Sequence, residues 1–258
     1  MTILLVRHAE SAGNMDDTVY DNVADQAIHL TEKGHQQAKD LGIFLKDWYA
    51  KNPPQKNIRL WCSPYKRTLL TLKEMKDSLI DHGGEWVWDK CSRGRDIHFD
   101  DRLRERHWGL YRPAEYQQGG TVEKENPRLY RMYTNSRYAE MGRYFSRPFG
   151  GESMEDVANR LRSFFHDVYF DIGRGVKDHL VVTHGAAMIS FAYAFTKQHP
   201  SFMQDETLIG NTGVRLLDMD PVTKRYQDYG VIYDPSRNIY VLDKPEKPIT
   251  HTLEQLLD

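Results

Sequence analysis

An arginine and a histidine stand side by side at the end of the first apolar segment of the chain. Residues Thr2 to Val6 are mostly aliphatic or β-branched, which is typical of a buried strand, and Arg7 and His8 follow directly. Because ligand sites in open α/β sheets lie outside the carboxyl ends of strands, we expect both side chains at such an edge. A guanidinium beside an imidazole favours an anionic ligand, although an isolated Arg-His pair is also compatible with a surface position.

Two later segments repeat this design. The strand predicted over 58–62 is followed by Ser63 as N-cap and Pro64 at the first helical position, which puts Arg67 in the first turn of a helix. A further apolar strand ends in Thr183-His184-Gly185 before an Ala-rich helix. The pattern predicts one pocket in which two guanidinium groups can donate forked hydrogen bonds to the oxygens of a phosphoryl group. The amino end of the Arg67 helix would add free N–H groups that favour an anion.

Taken together, these motifs resemble the histidine phosphatase superfamily, also called the phosphoglycerate mutase-like superfamily. Each motif is weakly specific alone, but five occur in the family's order and span residues 3 to about 190. The resemblance implies a three-layer α/β/α sandwich with a mostly parallel central sheet. The matching segments are Arg7-His8-Ala9-Glu10, Ser63-Pro64-Tyr65-Lys66-Arg67-Thr68, the segment around Glu105, Gly150-Gly151-Glu152-Ser153 and Thr183-His184-Gly185.

The resemblance also implies roles for individual side chains. His8 would be the nucleophile that forms a phosphohistidine intermediate, and His184 would donate to the phosphoryl oxygens in the transition state. Positive neighbours would depress the pKa of these imidazoles and keep them neutral without a metal. The candidate catalytic residues are His8, Glu105, His184, Arg7 and Arg67, and the candidate substrate-binding residues are Arg7, Asn14, Arg67, Arg106, His184 and Gly185.

The leaving group of a phosphate ester needs a proton, and the resemblance places Glu105 in that role. In the second step the same carboxylate would activate water to hydrolyse the phosphohistidine. The alternatives are a surface salt bridge of Glu105 with Arg102 or Arg106, and a different acid, either Glu152 or one from the Asp16-Asp17 loop. Arginine neighbours would lower the pKa of Glu105, so burial against Trp108 would have to offset them.

Three functions remain open within this resemblance. A phosphatase acting on a small phosphorylated substrate is favoured, and a cofactor-dependent phosphoglycerate mutase is the alternative, supported by the mutase-like segment 105–109. Mutases of this type carry an adjacent Arg-Arg pair for the substrate carboxylate, whereas the corresponding region here reads Tyr144-Phe145-Ser146-Arg147-Pro148-Phe149-Gly150. A noncatalytic module that binds phosphorylated partners is less favoured, because both imidazoles and a candidate acid are present.

Composition limits the class of protein further. With 258 residues, of which 40% are hydrophobic, the chain can bury one large core, which predicts a single domain over residues 1–258. A formal net charge of -2 predicts neither a nucleic-acid partner nor a membrane partner. No segment is typical of a signal peptide or a membrane span, and two cysteines indicate no disulfide framework, so we expect a cytoplasmic protein. None of the eleven histidines has a metal-ligand spacing, so no metal or other cofactor is expected, and a homo-oligomer is compatible with the sequence.

The order of the apolar segments predicts alternating helices and strands, hence an α/β fold. An Arg-rich insertion over about 101–149, with one helix over about 123–143, is expected to cap the site. Residues 12–28 are expected to form a loop over the strand ends. The other predicted helices cover 31–49, about 64–79, 153–170 and 186–196, and the other predicted strands cover 86–88, 97–99, 213–219 and 225–233.

Overall fold

The computed structural model describes residues 1–91, 97–112, 115, 118–134, 142–220, 223 and 225–249. Its centre is a seven-stranded sheet with the strand order β3-β2-β4-β1-β5-β6-β7. The strands are β1 Thr2–Arg7, β2 Ile58–Cys62, β3 Ile97–Phe99, β4 Asp178–Thr183, β5 Val214–Met219, β6 Tyr226–Asp234 and β7 Ile239–Tyr240.

Strands β3, β2, β4 and β1 run parallel, and β5 joins the edge of β1 in the antiparallel direction. The strands predicted over 213–219 and 225–233 are confirmed as β5 and β6, which pair as an antiparallel hairpin and extend the sheet on that side. The four parallel strands therefore open their carboxyl ends on one edge, as the mostly parallel α/β fold predicts.

Helices cover both faces of the sheet. The main ones are α2 and α3 on one face and α8 and α9 on the other. The described helices are α1 Ala12–Met15, α2 Glu32–Lys51, α3 Lys66–Asp81, α4 Glu85–Lys90, α5 Thr121–Glu125, α6 Pro127–Thr134, α7 Gly142–Phe145, α8 Met154–Gly173, α9 Gly185–Thr196 and α10 Phe202–Asp205.

Alternating side chains of β1 feed two separate cores. Leu4 and Val6 pack with the apolar faces of α2 and α3, whereas Ile3 and Leu5 pack with those of α8 and α9. This follows from the two-residue period of a strand, which sends successive side chains to opposite faces. Burial on both faces produces the three layers that the family resemblance implies.

Two predicted helix starts are confirmed. The Thr31 side chain caps α2 by accepting a hydrogen bond from the Gly34 N–H, and Ser153 forms a capping box with Asp156 at the start of α8. The predicted start of α3 is wrong, because α3 begins at Lys66 with Tyr65 as its N-cap. Arg67 nevertheless lies in the first turn, as expected.

The strand predicted over 86–88 is also wrong. This segment belongs to α4, where the N–H groups of Val87 and Trp88 donate to the Gly84 carbonyl. Val87 is buried, while Trp86 is 39% exposed. Three consecutive apolar residues carry no period, so they fit a short helix as well as a strand.

The predicted cap helix over 123–143 is divided. Helix α5 ends at Glu125, Asn126 is its C-cap, and α6 starts at Pro127. A proline is favourable in the first turn of a helix but removes an N–H that a continuous helix would need. Residues 135–141 of the predicted helix lie outside the described residues. The segment 12–28, expected to be a loop, contains the short helix α1 and two 3-10 turns.

No helix in the described part of the chain combines the length and the apolar character that crossing a membrane requires.

Candidate active site

The motifs that follow β1, β2 and β4 meet at one edge of the sheet. Arg7, the last residue of β1, is in register with Thr183, the last residue of β4. The His8 N–H donates to the Thr183 carbonyl at 3.0 Å, and the Ser63 N–H donates to the Val182 carbonyl at 3.0 Å. Parallel pairing of β1, β4 and β2 thus brings segments distant in sequence to the same edge. A cavity of about 530 Å³ opens there.

The His8 ring is buried and has one nitrogen committed to the backbone. Nδ1 lies 2.7 Å from the Ala9 carbonyl oxygen, and because that oxygen only accepts, Nδ1 carries the proton. Nε2 then keeps its lone pair, which is the form a nucleophile needs. Burial, followed by the charges of Arg67 and Arg7, holds the pKa of His8 well below its ordinary value.

The His184 ring lies beside His8, with 5.2 Å between ring centroids. Its Nε2 is 2.8 Å from the Ser63 hydroxyl, which also accepts a hydrogen bond from the Tyr65 N–H at 3.5 Å. The Ser63 hydroxyl can donate to Nε2 or accept from it, so this contact fixes the position of the ring. Within the described residues, Nδ1 of His184 is buried without a hydrogen-bond partner. Burial, reinforced by the charges of Arg67 and His8, lowers the pKa of His184 well below its ordinary value.

Both predicted phosphate-binding arginines line the cavity. Arg67 is 2% exposed and donates through Nη1 to the carbonyl and the carboxylate of Asp25, both at 2.7 Å. Arg7 donates through Nη1 to the Ile209 carbonyl, while its Nε is buried without a partner among the described residues. In each guanidinium, Nη1 is held by the protein, and the remaining N–H groups can donate to an anion.

Gly185 lies beside Arg7 and Leu208 at the start of α9. A Cβ at position 185 would lie 3.4 Å from the Arg7 Nε atom and 2.9 Å from the Leu208 side chain. The glycine predicted as a substrate-binding residue therefore lines the cavity with backbone, next to the guanidinium.

Glu105 lines the same cavity and faces the amino end of α9. Its Oε1 accepts from the Arg106 N–H at 2.9 Å and from the Ala187 N–H at 3.3 Å, and its Oε2 is 3.4 Å from the Ala186 nitrogen. Arg102, one proposed salt-bridge partner, pairs instead with Asp100 and Asp167. The carboxyl group is thus positioned by backbone N–H groups at a helix start.

The alternative acids occupy different environments. Glu152 forms ion pairs with Arg104 at 2.8 Å and Arg160 at 3.0 Å, and also accepts from the His107 N–H. Although burial alone would raise it, the hydrogen bond and charge of Arg160 hold the pKa of Glu152 below its usual range. Asp16 caps a 3-10 turn by accepting from the Thr18 N–H, whereas Asp17 lines the cavity.

The Arg106 side chain lines the cavity but donates to the protein's own backbone. Its Nε binds the Glu152 carbonyl at 2.7 Å and its Nη2 binds the Ser146 carbonyl at 2.9 Å. The guanidinium also lies over the Trp108 ring, with 4.6 Å to the ring centroid. Arg106 therefore contributes charge to the cavity and fixes its wall.

Asn14 is held at the cavity by a residue that sequence reasoning missed. Its Oδ1 accepts from the Ser11 N–H at 3.0 Å and from the Asn211 side chain at 3.1 Å. The Asn211 Nδ2 group also donates to the His8 carbonyl at 3.1 Å. The polar turn before the strand predicted at 213 was the available signal for this residue. Asp25 and Ser63 were likewise missed as partners of Arg67 and His184.

The sequence matches the family model of the histidine phosphatase superfamily (branch 1) over residues 3–231. The chain therefore belongs to the histidine phosphatase superfamily. Within the described residues, no group of three His, Cys, Asp or Glu side chains is arranged to hold a metal ion.

Proteins similar to this chain bear both phosphatase and mutase-like names. The phosphoglycerate mutase-like protein AT74 of Arabidopsis thaliana is 28% identical over 228 residues, covering 84% of this chain and 64% of AT74. The broad-range acid phosphatase DET1 of Saccharomyces cerevisiae is 25% identical over 301 residues, covering 87% of both chains. A solved mycobacterial glucosyl-3-phosphoglycerate phosphatase superimposes with a TM-score of 0.60 at 18% identity, covering 88% of this chain and 96% of that structure. The chain spans 54% to 64% of the length of the two Arabidopsis relatives it matches.

Proposed function

We propose that this chain is a phosphomonoester hydrolase that works through a phosphohistidine at His8. The observation that carries the proposal is the state of the His8 imidazole, whose Nδ1 proton is held by the Ala9 carbonyl and whose pKa is lowered by burial and by Arg67 and Arg7. Such a ring presents a neutral Nε2 to an anion bound between two guanidinium groups.

The first step transfers the phosphoryl group to the enzyme. Nε2 of His8 attacks phosphorus, the bond from phosphorus to the ester oxygen breaks, and the protonated Glu105 gives its proton to the leaving oxygen. Arg7, Arg67 and the Nδ1–H of His184 stabilise the charge on the equatorial oxygens.

The second step returns the enzyme to its starting state. Glu105, now a carboxylate, takes a proton from water, the water oxygen bonds to phosphorus, and the bond between Nε2 and phosphorus breaks. The open cavity beside His8 supports hydrolysis because water can reach the intermediate. The phosphatase name of the yeast relative supports the same reaction.

A phosphoglycerate mutase is the second candidate, favoured by the segment 105–109 and by the name of the plant relative. A mutase would return the phosphoryl group from His8 to another hydroxyl instead of to water. Arg147, in the region where mutases carry an Arg-Arg pair, is 61% exposed in its side chain and pairs with Asp156. This arrangement supports the phosphatase over the mutase.

The deciding experiment measures phosphate release from a panel of phosphomonoesters and 3-phosphoglycerate isomerisation in parallel. His8→Ala is compared with the wild type, and His166→Ala, which changes an exposed histidine on α8, is the matched control. We expect phosphate release that only His8→Ala abolishes and that a chelator leaves unchanged. Isomerisation with little release would replace the phosphatase by the mutase, and absence of both reactions would refute the proposal.

We also propose a cytoplasmic location, supported by two buried free cysteines, Cys62 and Cys91, in the described part of the chain. Fractionation of cells with an antibody to the protein tests this, and recovery in a secreted fraction would refute it.

A further inference from the structure

A second cavity adjoins the site. This outer pocket has a volume of about 280 Å³ and shares Tyr20, Asp25 and Trp108 with the cavity that holds His8. Because the two cavities share these walls, an ester bound with its phosphoryl group at His8 can place its leaving group in the outer pocket.

Negative charge dominates this outer pocket. Among its described lining residues are the carboxylates of Asp21, Asp25 and Glu115 and the guanidinium of Arg112, and Asp25 is in turn paired with Arg67. Glu115 accepts from the Arg112 N–H at 2.6 Å and lies 3.5 Å from its Nε, and Asp21 lies 3.5 Å from its Nη1. The positive charge of Arg112 is therefore already matched by carboxylates, which repel a second anionic group and accept hydrogen bonds from hydroxyl groups.

Aromatic side chains form the other part of the outer pocket. Tyr20, Trp108 and Tyr111 line it and make this part of its wall aromatic.

The wall that carries Trp108 is fixed by its backbone. The Leu110 N–H donates to the Phe149 carbonyl at 3.0 Å, and the Glu152 N–H donates to the His107 carbonyl at 2.8 Å. Gly109 has a φ of +78°, and a Cβ there would lie 2.0 Å from the Phe149 oxygen, so only glycine allows this contact. The outer pocket therefore has a preformed aromatic wall.

We infer that the substrate is a monophosphate whose leaving group is a neutral, hydroxyl-bearing ring, which is the chemistry of a sugar monophosphate. This inference rests on the proposed phosphatase function. The carboxylates select against leaving groups with a carboxylate or a second phosphate, and the aromatic wall selects rings over open chains.

Four esters separate the preference for a neutral leaving group from the preference for a ring. Glucose 6-phosphate and glucose 1,6-bisphosphate share a ring but differ in charge, and glycerol 3-phosphate and 3-phosphoglycerate repeat the charge difference without a ring. We expect kcat/KM for phosphate release to be about tenfold higher for the neutral member of each pair, and about tenfold higher for glucose 6-phosphate than for glycerol 3-phosphate.

Variants assign each preference to its residues. Asp21→Asn combined with Glu115→Gln should reduce the neutral-to-anionic ratio at least threefold, and Tyr111→Leu should reduce the ring-to-chain ratio, while Tyr111→Phe should retain it. Asp89→Asn is the matched control, because Asp89 lies on α4, far from the site. Helix α4 leads into Cys91, which pairs with Ile58 at the end of β2 opposite the site. This control should leave both ratios unchanged.

The outcomes distinguish this inference from the function on which it rests. Release of phosphate from p-nitrophenyl phosphate, with ratios near one or ratios that the variants do not move, would overturn the inference and leave the phosphatase standing. No release from any ester, p-nitrophenyl phosphate included, would overturn both.

Discussion

The hydroxyl of Ser63 lies 2.8 Å from Nε2 of His184 and holds that imidazole beside the ring of His8. If the Ser63 hydroxyl donates to Nε2, the ring proton of His184 lies on Nδ1, which is the tautomer that the proposed mechanism uses. In the proposed mechanism this Nδ1 proton binds a phosphoryl oxygen. A residue that does not line the cavity can thus control how charge in the cavity is stabilised.

Replacing Ser63 by Ala should lower kcat about tenfold with little change in KM, because the Nδ1–H tautomer loses its support. Ser63→Thr keeps a hydroxyl and should retain most of the activity. Steady-state kinetics measure the effect, and nitrogen NMR shifts of the His184 ring report the tautomer. An unchanged kcat together with a changed tautomer would contradict the assigned role of His184.

The effect of Glu105→Gln should depend on the leaving group. An alkyl phosphate needs a proton on its leaving oxygen, so its kcat/KM should fall about 100-fold or more. p-Nitrophenyl phosphate has a stable leaving anion and should lose less than about tenfold. Glu152→Gln is the comparison variant. It disturbs the ion pairs of Glu152 with Arg104 and Arg160, and should reduce kcat/KM by the same factor for both esters. Equal losses for both esters in Glu105→Gln would argue against a general acid at that position.

His179 should make the fold sensitive to acid. Burial lowers its pKa to about 3, and its Nδ1 accepts a hydrogen bond from Trp61 at 3.2 Å. Below about pH 6.5 the unfolded chain binds a proton that the folded chain excludes, so the stability present above that pH is lost as the pH falls.

Urea unfolding at pH 7 and pH 4.5 tests this sensitivity. His179→Gln should reduce the loss in free energy of unfolding between the two pH values by about 2 kcal/mol. His166→Gln, at an exposed position on α8, should not change that loss. An equal effect of both variants would show that His179 is not the group responsible.

A buried ion pair between β5 and β6 should be costly to break. The Arg215 guanidinium is 2% exposed and binds both carboxylate oxygens of Asp228 through Nε, while Glu206 binds Nη1 at 2.9 Å. Asp228→Asn leaves a buried cation short of its main partner and should lower the free energy of unfolding by about 3 kcal/mol. Asp243→Asn, which breaks an exposed pair with Lys51, is the control and should have little effect. Chemical denaturation compares the two variants, and similar stabilities would refute the prediction.

The parts of the site that follow strands could be predicted from the sequence, because an apolar run and the residue that ends it are local signals. Arg7, His8 and His184 are placed in this way. Asn211 could not be found so directly, since it reaches His8 only through the pairing of β5 with β1. Ser63 shows a different limit: it has the composition of an N-cap, but its hydroxyl binds His184 instead of capping α3. Local preference is overridden where the site uses the same side chain.

The turn before β5 is hydrogen-bonded to the end of β1, although the two segments lie at nearly opposite ends of the chain. The hydrogen bond from Asn211 to the His8 carbonyl joins residues 203 apart in sequence, and that from Arg7 to the Ile209 carbonyl joins residues 202 apart. Contacts of such separation form late, because the entropy of closing a long loop must be overcome first. The recovery of catalytic activity during refolding therefore reports when β5 pairs with β1. A nascent or partly folded chain contains His8 before its active site is complete.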